Sequence, residues 1–265
     1  MGKTDRYSSP AKEVFPVKLD VIIAKPNHKT VYRDGDVVIK VFDECFDKAD
    51  VLNEALNQAR VEKSPLHIPR VRGVELVDGK WAIISDYIQG KTLDSLMQEH
   101  PENRGDYLGQ FVDLQRLTHS QACPLLGRFR DKLHQKINAS DLDVHLRYAL
   151  HTRLETMPTH TKLCHGDFNP KNIIMTEDGT PYILDWSHAA QGNASADVAQ
   201  TYLLFSLGAY REEAEKYLNL FCKMNDVTKR YVTKWIPIVA ASQLGRCKPE
   251  EKPLLMKWVE SVREE

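Results

Sequence analysis

The chain has 265 residues, 42% of them apolar and 28% charged, and carries a formal net charge of −1. This is ordinary globular usage, which excludes a disordered or fibrous chain. A charge this close to zero excludes a global field that would recruit nucleic acid or anionic lipid, so function must be local. Five cysteines (Cys45, Cys123, Cys164, Cys222 and Cys247) are far apart and contain no C-x-x-C. They read as reduced thiols of a cytoplasmic protein rather than a disulfide frame or a zinc site. The first fifteen residues, MGKTDRYSSPAKEVF, hold no apolar leader core, Gly2 is discounted as a lipidation site, and no apolar run is long enough to cross a bilayer.

In chain order, residues 17–23, 30–33 and 37–42 read as strands, with Asp34-Gly35 between the last two as a hairpin signal. Residues 47–63 repeat Val51, Leu52, Ala55, Leu56 and Ala59 at helical spacing, with Asp47 or Asp50 as cap. A second hairpin joins 71–77 to 81–88 through Asp78-Gly79. Strands, one helix, then strands make a small α+β lobe. Beyond residue 88 the texture turns helical: a short helix capped by Thr92, then 107–119 and 141–155. Short strands follow at 162–164, 172–175 and 182–186, then helices near 197–207, 211–224, 228–246 and 250–264, with Pro237 expected to kink the third.

The stretch LCHGDFNPKNIIMTEDGTPYILDWS, residues 163–187, sets a His, three Asp and two Asn among apolar runs. Asp178-Gly179 between those runs signals a hairpin, which brings Asn172 and Asp185 to one sheet end with Asp167 in the loop before them. Asp185 and Asn172 offer oxygens that suit a hard cation such as Mg²⁺. Asp167, left off the metal, can orient a hydroxyl and accept its proton. Turn residues with local hydrogen bonds are the plain alternative for each residue alone. The ordered spacing of all three favours function.

H-G-D-x-x-x-x-N followed by an apolar-flanked Asp resembles the aminoglycoside phosphotransferase and choline kinase family, relatives of the protein kinases. The matching residues are His165, Gly166, Asp167, Asn172 and Asp185. The resemblance implies a protein-kinase-like two-lobed α+β fold: a small sheet-rich N-lobe over 1–88 and a larger, mainly helical C-lobe over 89–265. It implies Asp167 as catalytic base and Asn172 and Asp185 as Mg²⁺ ligands. His165 becomes a support of the loop, Asn169 a contact to substrate or γ-phosphate, and Asp197 an anchor of the catalytic loop. Gly166 stands where protein kinases carry an Arg, and D-W-S where they carry Asp-Phe-Gly. Both departures resemble the small-molecule branch.

A kinase needs a cation on a strand and a carboxylate that positions it. Lys40 in VVIKVF and Glu54 on the next helix meet that demand, fourteen positions apart. The turn over 24–30 has no glycine, so Lys29, His28 or backbone amides would cover the phosphates instead. QGKT at 89–92 is not a P-loop, because Ser85 stands where its first glycine belongs. The hinge at Ser85, Asp86, Tyr87 and Ile88 would hold adenine.

These residues imply transfer of a γ-phosphate from ATP, or GTP, to a hydroxyl of a small molecule: an aminoglycoside-like antibiotic, an amino alcohol or a sugar. The chain would act as a monomer or homodimer, without nucleic acid or membrane. Residues 186–265 hold 10 acidic and 11 basic side chains, which is not the acidic surface that a polycation prefers. Trp186, Tyr202, Tyr210, Tyr217, Trp235 and Trp258 are mostly core rather than a cage for a quaternary amine. A pseudokinase-like binding module, a protein kinase, and a metal hydrolase built on His165, Asp167 and His188 are the competing readings.

Overall fold

The computed structural model describes residues 19–25 and 28–263. The segment read for a leader, the start of the 17–23 strand, Pro26 and Asn27 of the glycine-free turn, and Glu264 of the last helix lie outside them.

β1 (Val21–Ala24), β2 (Lys29–Asp34), β3 (Val37–Phe42), β4 (Val71–Val77) and β5 (Lys80–Asp86) form an antiparallel sheet in the order β1-β2-β3-β5-β4. In the β4–β5 hairpin, Asp78 and Gly79 have φ of 49° and 78°, the pair of positive values that a tight primed turn requires. β5 stops at Asp86 rather than running on to Ile88. β3 is the central strand: Lys40 lies opposite Val31 on one side and Ile83 on the other. Side chains alternate along it. Ile39 and Val41 therefore pack with Ala82 and Ile84 on one face, while Lys40 and Phe42 point to the other.

Helix α1 (Lys48–Val61) covers that second face. Asp47 caps it, its carboxylate accepting from the Asp50 amide at 2.8 Å. Val51 and Ala55 pack on Phe42 and Ile83. Burying Val51 completely stabilises this contact by about 1.5–3 kcal/mol. The same packing aims Glu54, on the next step of the helix, at the lysines on the sheet.

The rest of the chain is mainly helical. β6 (Lys91–Thr92) leads into α2 (Leu93–Glu99), followed by α3 (Arg104–His119), α4 (Phe129–Asn138) and α5 (Val144–Thr156). β7 (Lys162–Cys164), β8 (Ile173–Met175), β9 (Pro181–Ile183) and β10 (Ala190–Gly192) precede α6 (Ala194–Leu207), α7 (Ala214–Asn225), α8 (Lys229–Thr233), α9 (Ile236–Gln243) and α10 (Lys252–Glu260). β8 pairs with β9 around Asp178-Gly179 and with β6 on its other side, and β7 pairs with β10.

Three elements were not read from sequence: β6, β10 and α4. The helix expected over 228–246 is two helices, because Pro237 sits in the first turn of α9, where its missing N–H costs nothing. The chain therefore breaks between Thr233 and Ile236 instead of kinking. Gly90 is more than a turn residue, since a Cβ there would lie 2.3 Å from the Met175 carbonyl. One large core joins the helices, with Trp186, Tyr210, Tyr217 and Trp235 buried in it and Tyr202 and Trp258 at its rim. Among the described residues no helix is long and apolar enough to cross a membrane.

Candidate active site

The loop from His165 to Asn172 connects β7 to β8, and its shape is set from outside. Gly166 has φ of 78°, and a Cβ on it would lie 2.8 Å from the His188 carbonyl, so only glycine fits. Asp197 sits in the first turn of α6, where the helix dipole favours a carboxylate. Its oxygens accept from the Gly166 amide at 2.7 Å, the His165 amide at 3.2 Å and His119 Nε2 at 2.9 Å. Burial opposes its ionisation, but the hydrogen bond and charge of His119 and the Gly166 amide outweigh that and hold the carboxyl below its ordinary value.

His165 is fully buried between Trp186 and Phe168. Its Nε2–H donates to the Leu184 carbonyl at 2.9 Å, and its Nδ1 accepts from the Asp167 amide at 3.2 Å. Both ring nitrogens serve the backbone, so none remains for a metal or a substrate, which removes the hydrolase alternative. Asn172 Nδ2 donates to both the backbone carbonyl (2.9 Å) and the Oδ2 (3.0 Å) of Asp167. That fixes the carboxylate and leaves Asn172 Oδ1 free to accept. Asn169 Nδ2 donates to the same Asp167 carbonyl at 3.0 Å, while its Oδ1 caps the turn at the Lys171 amide. Burial raises the Asp167 carboxyl above its ordinary value; His165 pulls it down and Asp185 adds to the rise.

Asp185 follows β9 with φ of 56°, a left-handed conformation that costs of order 1–3 kcal/mol outside glycine and that Asp tolerates better than most residues. Its Oδ2 lies 3.3 Å from Lys40 Nζ, and its Oδ1 is buried with no hydrogen-bond partner among the described residues. Burial disfavours its charge, yet Lys40 and then Lys29 hold the carboxyl well below the usual range. Lys40 Nζ also lies 2.6 Å from Glu54 Oε1. Burial works against the ammonium, and Asp185 and Glu54 overcome it to raise its pKa.

Two further residues complete the group: Lys29, read from sequence as a cover for the phosphates, and Asn57, which escaped the sequence reading. Lys29 Nζ lies 3.0 Å from Glu54 Oε2, so one carboxylate bridges two ammonium groups. The hairpin register carried that signal: Val31 faces Lys40, and Lys29 stands two residues away on the same face. Asn57, buried on α1, donates to the Ser187 carbonyl at 3.2 Å and ties the helix to the segment after Asp185. His28, by contrast, is an exposed turn residue 3.8 Å from Asp43.

In the hinge, the Ser85 backbone pairs with Val38 and Val71 on its two sides. The Asp86 amide donates to Arg70 O at 3.0 Å and the Tyr87 amide to Asp36 O at 2.8 Å. The Asp86 carboxylate is clasped by Arg72 at 2.6 Å, and Arg33 stacks on the Tyr87 ring at 3.9 Å. Among the described residues the Ile88 N–H has no protein partner. A cavity of about 220 Å³ between Arg130, Pro158, Gln191 and Trp235 shares none of these site residues.

A lysine held by a helix carboxylate, opposite an Asp-bearing loop and a second Asp after a hairpin, defines a kinase-type phosphotransferase with a two-lobed α+β fold. Residues 28–231 match the phosphotransferase enzyme family, and the chain belongs to it. No curated protein sequence matches the chain. Among solved structures, it is similar to a thermostable mutant of aminoglycoside phosphotransferase APH(4)-Ia in ternary complex with AMP-PNP and hygromycin B: TM-score 0.67, 17% identity, covering 91% of this chain and 92% of that one. It is also similar to a choline/ethanolamine kinase family protein from Mesorhizobium loti, with TM-score 0.62, 14% identity and coverage of 96% and 90%. The GDP complex of an aminoglycoside 2'-phosphotransferase-IIIa mutant superposes with TM-score 0.58 at 15% identity, covering 94% and 93%. Identities this low establish the fold and no more.

Proposed function

We propose that the chain transfers the γ-phosphate of ATP to a hydroxyl of a small molecule, with Asp167 as general base. The observation that carries this is the convergence of Lys40, Glu54 and Asp185 through contacts of 2.6 and 3.3 Å, beside a loop that presents Asp167. We divide the chain near residue 88, with the sheet and α1 as the nucleotide half and the remainder as the half that performs the chemistry. Lys40, positioned by Glu54 and backed by Lys29, holds the phosphates. The Ile88 N–H, without a partner among the described residues, donates to the base at the hinge.

Asn172 Oδ1 and the Asp185 carboxylate fit a hard cation such as Mg²⁺: the first is left free by its own amide, and the second keeps a buried oxygen with no partner among the described residues. When bound, such an ion neutralises charge on the phosphates. Asp167 aligns the acceptor hydroxyl and takes its proton on Oδ1, since Oδ2 is held by Asn172. The acceptor oxygen bonds to the γ-phosphorus, the bond to the β,γ-bridging oxygen breaks, and ADP leaves. A carboxyl raised by burial is a stronger base for this step.

The short segment after Asp185 supports a small acceptor rather than a peptide. Trp186–His188 forms a single 3₁₀ turn and Ala190–Gly192 is β10, which leaves no length for a protein-kinase activation loop. That a structural neighbour was crystallised with AMP-PNP and hygromycin B agrees with nucleotide-dependent chemistry on small molecules. The test is ADP release from ATP, and in parallel GDP release from GTP, across aminoglycosides, amino alcohols, sugars and hydroxy acids. Acceptor-dependent release that disappears in Asp167→Ala is the expected result. Release that survives this substitution would overturn the base assignment.

A further inference from the structure

Against the segment after Asp185 lie α4 and the turn Leu244–Arg246 that follows α9. Lys132 and Lys136 stand four residues apart on α4, hence on one face of it. Lys132 Nζ donates to the Ala189 carbonyl at 2.8 Å and to the His188 carbonyl at 3.3 Å, which fastens α4 to the segment bearing Asp185. Arg246 Nη1 lies 2.8 Å from His188 Nε2. A guanidinium only donates, so this nitrogen is the acceptor and the imidazole is neutral with its proton on Nδ1. Burial first, then Arg246, keep His188 from protonating. Gly166, the neighbour of Asp167, lies against the His188 carbonyl that Lys132 holds, so α4 and Arg246 meet beside the candidate base, whose charge favours the charged forms of Lys136 and Arg246.

These cations differ from the lysines on the sheet. Lys40 and Lys29 are matched by Glu54 and Asp185. Among the described residues, Lys132, Lys136 and Arg246 form no ion pair with a carboxylate; Lys132 is held by backbone carbonyls and Arg246 by a neutral imidazole. Acids on the surrounding elements are engaged elsewhere: Glu155 with Arg130 and His134, Asp141 with Lys252, and Glu251 with the Lys248 amide. Gathering like charges in a partly buried site costs free energy unless something answers them. Burial, and after it Arg246 and Lys132, push Lys136 down to about 7.

We propose that the acceptor is itself an anion: a hydroxyl compound bearing a carboxylate or a phosphate, held by Lys136 and Arg246 with its hydroxyl turned to Asp167. This rests on the phosphotransfer reading above and names the substrate class of that site. An aminoglycoside polycation or a quaternary amine meets like charge here and is rejected. The transfer step is unchanged: the hydroxyl oxygen takes the γ-phosphoryl group, its proton goes to Asp167, and the anionic group of the acceptor takes no part in bond making.

The test is calorimetric titration of the full chain saturated with Mg·AMP-PNP. The probes are glycerate and gluconate (carboxylates), glycerol 3-phosphate and glucose 6-phosphate (phosphates), glucose (neutral) and choline (cationic). At least one anion is expected to bind about tenfold or more tightly than glucose or choline, and the better arm tells carboxylate from phosphate. Lys136→Glu and Arg246→Glu should each weaken that anion by roughly tenfold to a hundredfold, and Lys136→Arg should restore most of the binding. Melting curves show that each variant is folded; if the glutamate variants are not, Lys136→Met and Arg246→Gln replace them. Anions that bind no better than glucose would overturn the inference. So would anions that displace AMP-PNP, because the cations would then belong to the nucleotide. If Mg·AMP-PNP itself fails to bind, the phosphotransfer reading falls. The titration is then read on the free protein, where anion preference supports the basic site and its absence overturns it.

Discussion

The two sides of the crevice handle charge in opposite ways. On the sheet side, Lys29 and Lys40 share Glu54, and Lys40 also faces Asp185, so two cations meet two carboxylates. On the far side, Lys132, Lys136 and Arg246 gather around the segment after Asp185 with no carboxylate ion-pair partner among the described residues. A matched cluster is preorganised: its geometry exists before any ligand arrives, and a buried pair loses more when broken than it gained when made. An unmatched cluster is completed by its ligand. The first arrangement suits a cofactor common to a family, the second an acceptor particular to one member.

The sharpest break of this contrast is at Asp167, which belongs to neither cluster. Asp167→Asn should lower turnover by roughly two to four orders of magnitude while nucleotide affinity is kept, measured by single-turnover kinetics and calorimetry. Because burial raises this carboxyl, the acid limb of turnover should lie above the ordinary aspartate value. The base must be ionised to act, so the rate falls as pH drops through that raised value. A limb at or below the ordinary value would contradict the assignment.

Next in size is Asp197→Ala, which strips partners from His119 and from the His165 and Gly166 amides and should cost about 3–5 kcal/mol in denaturant unfolding. The folded-state pKa of Asp197 is depressed, so its contribution is complete above the ordinary carboxylate value of about 4. It is lost as pH falls from there through the lower folded value. Wild type should therefore lose stability in that acid window, and the variant should show a weaker dependence.

Glu54→Gln leaves two lysines without their shared counter-charge and should weaken nucleotide binding by roughly tenfold, read by calorimetry. The smallest effect belongs to the cap that starts the helix carrying Glu54. Asp47→Ala removes one hydrogen bond to the Asp50 amide and should cost about 1 kcal/mol in a thermal melt.

The sheet half was more legible in sequence than the acceptor half, and the reason is physical. Two-residue Asp-Gly turns fix hairpin register, and register decides that Lys40 and Phe42 share a face with α1. The loop proposed to be catalytic was legible because its residues lie within eight positions of one another. The proposed acceptor side assembles from α4, from Ala189 and from Arg246, and no local pattern joins such distant segments. Phe129, Leu133 and Ile137 do repeat at helical spacing, and that signal was present for α4. Charge counted over residues 186–265 averages near zero and cannot reveal a local group. His188, named in sequence only for the hydrolase alternative, joins Arg246, Lys132 and Gly166 through its ring, its carbonyl and its close packing.

The central claim is that Lys40 lines a magnesium-nucleotide site. Calorimetry of Mg·ATP binding to wild type and to Lys40→Met, with melting curves showing both are folded, tests it without knowledge of the acceptor. Binding that weakens by about tenfold to a hundredfold in the variant, and that needs Mg²⁺ in the wild type, is the predicted result. Equal affinity in both proteins, or binding indifferent to the metal, would contradict it.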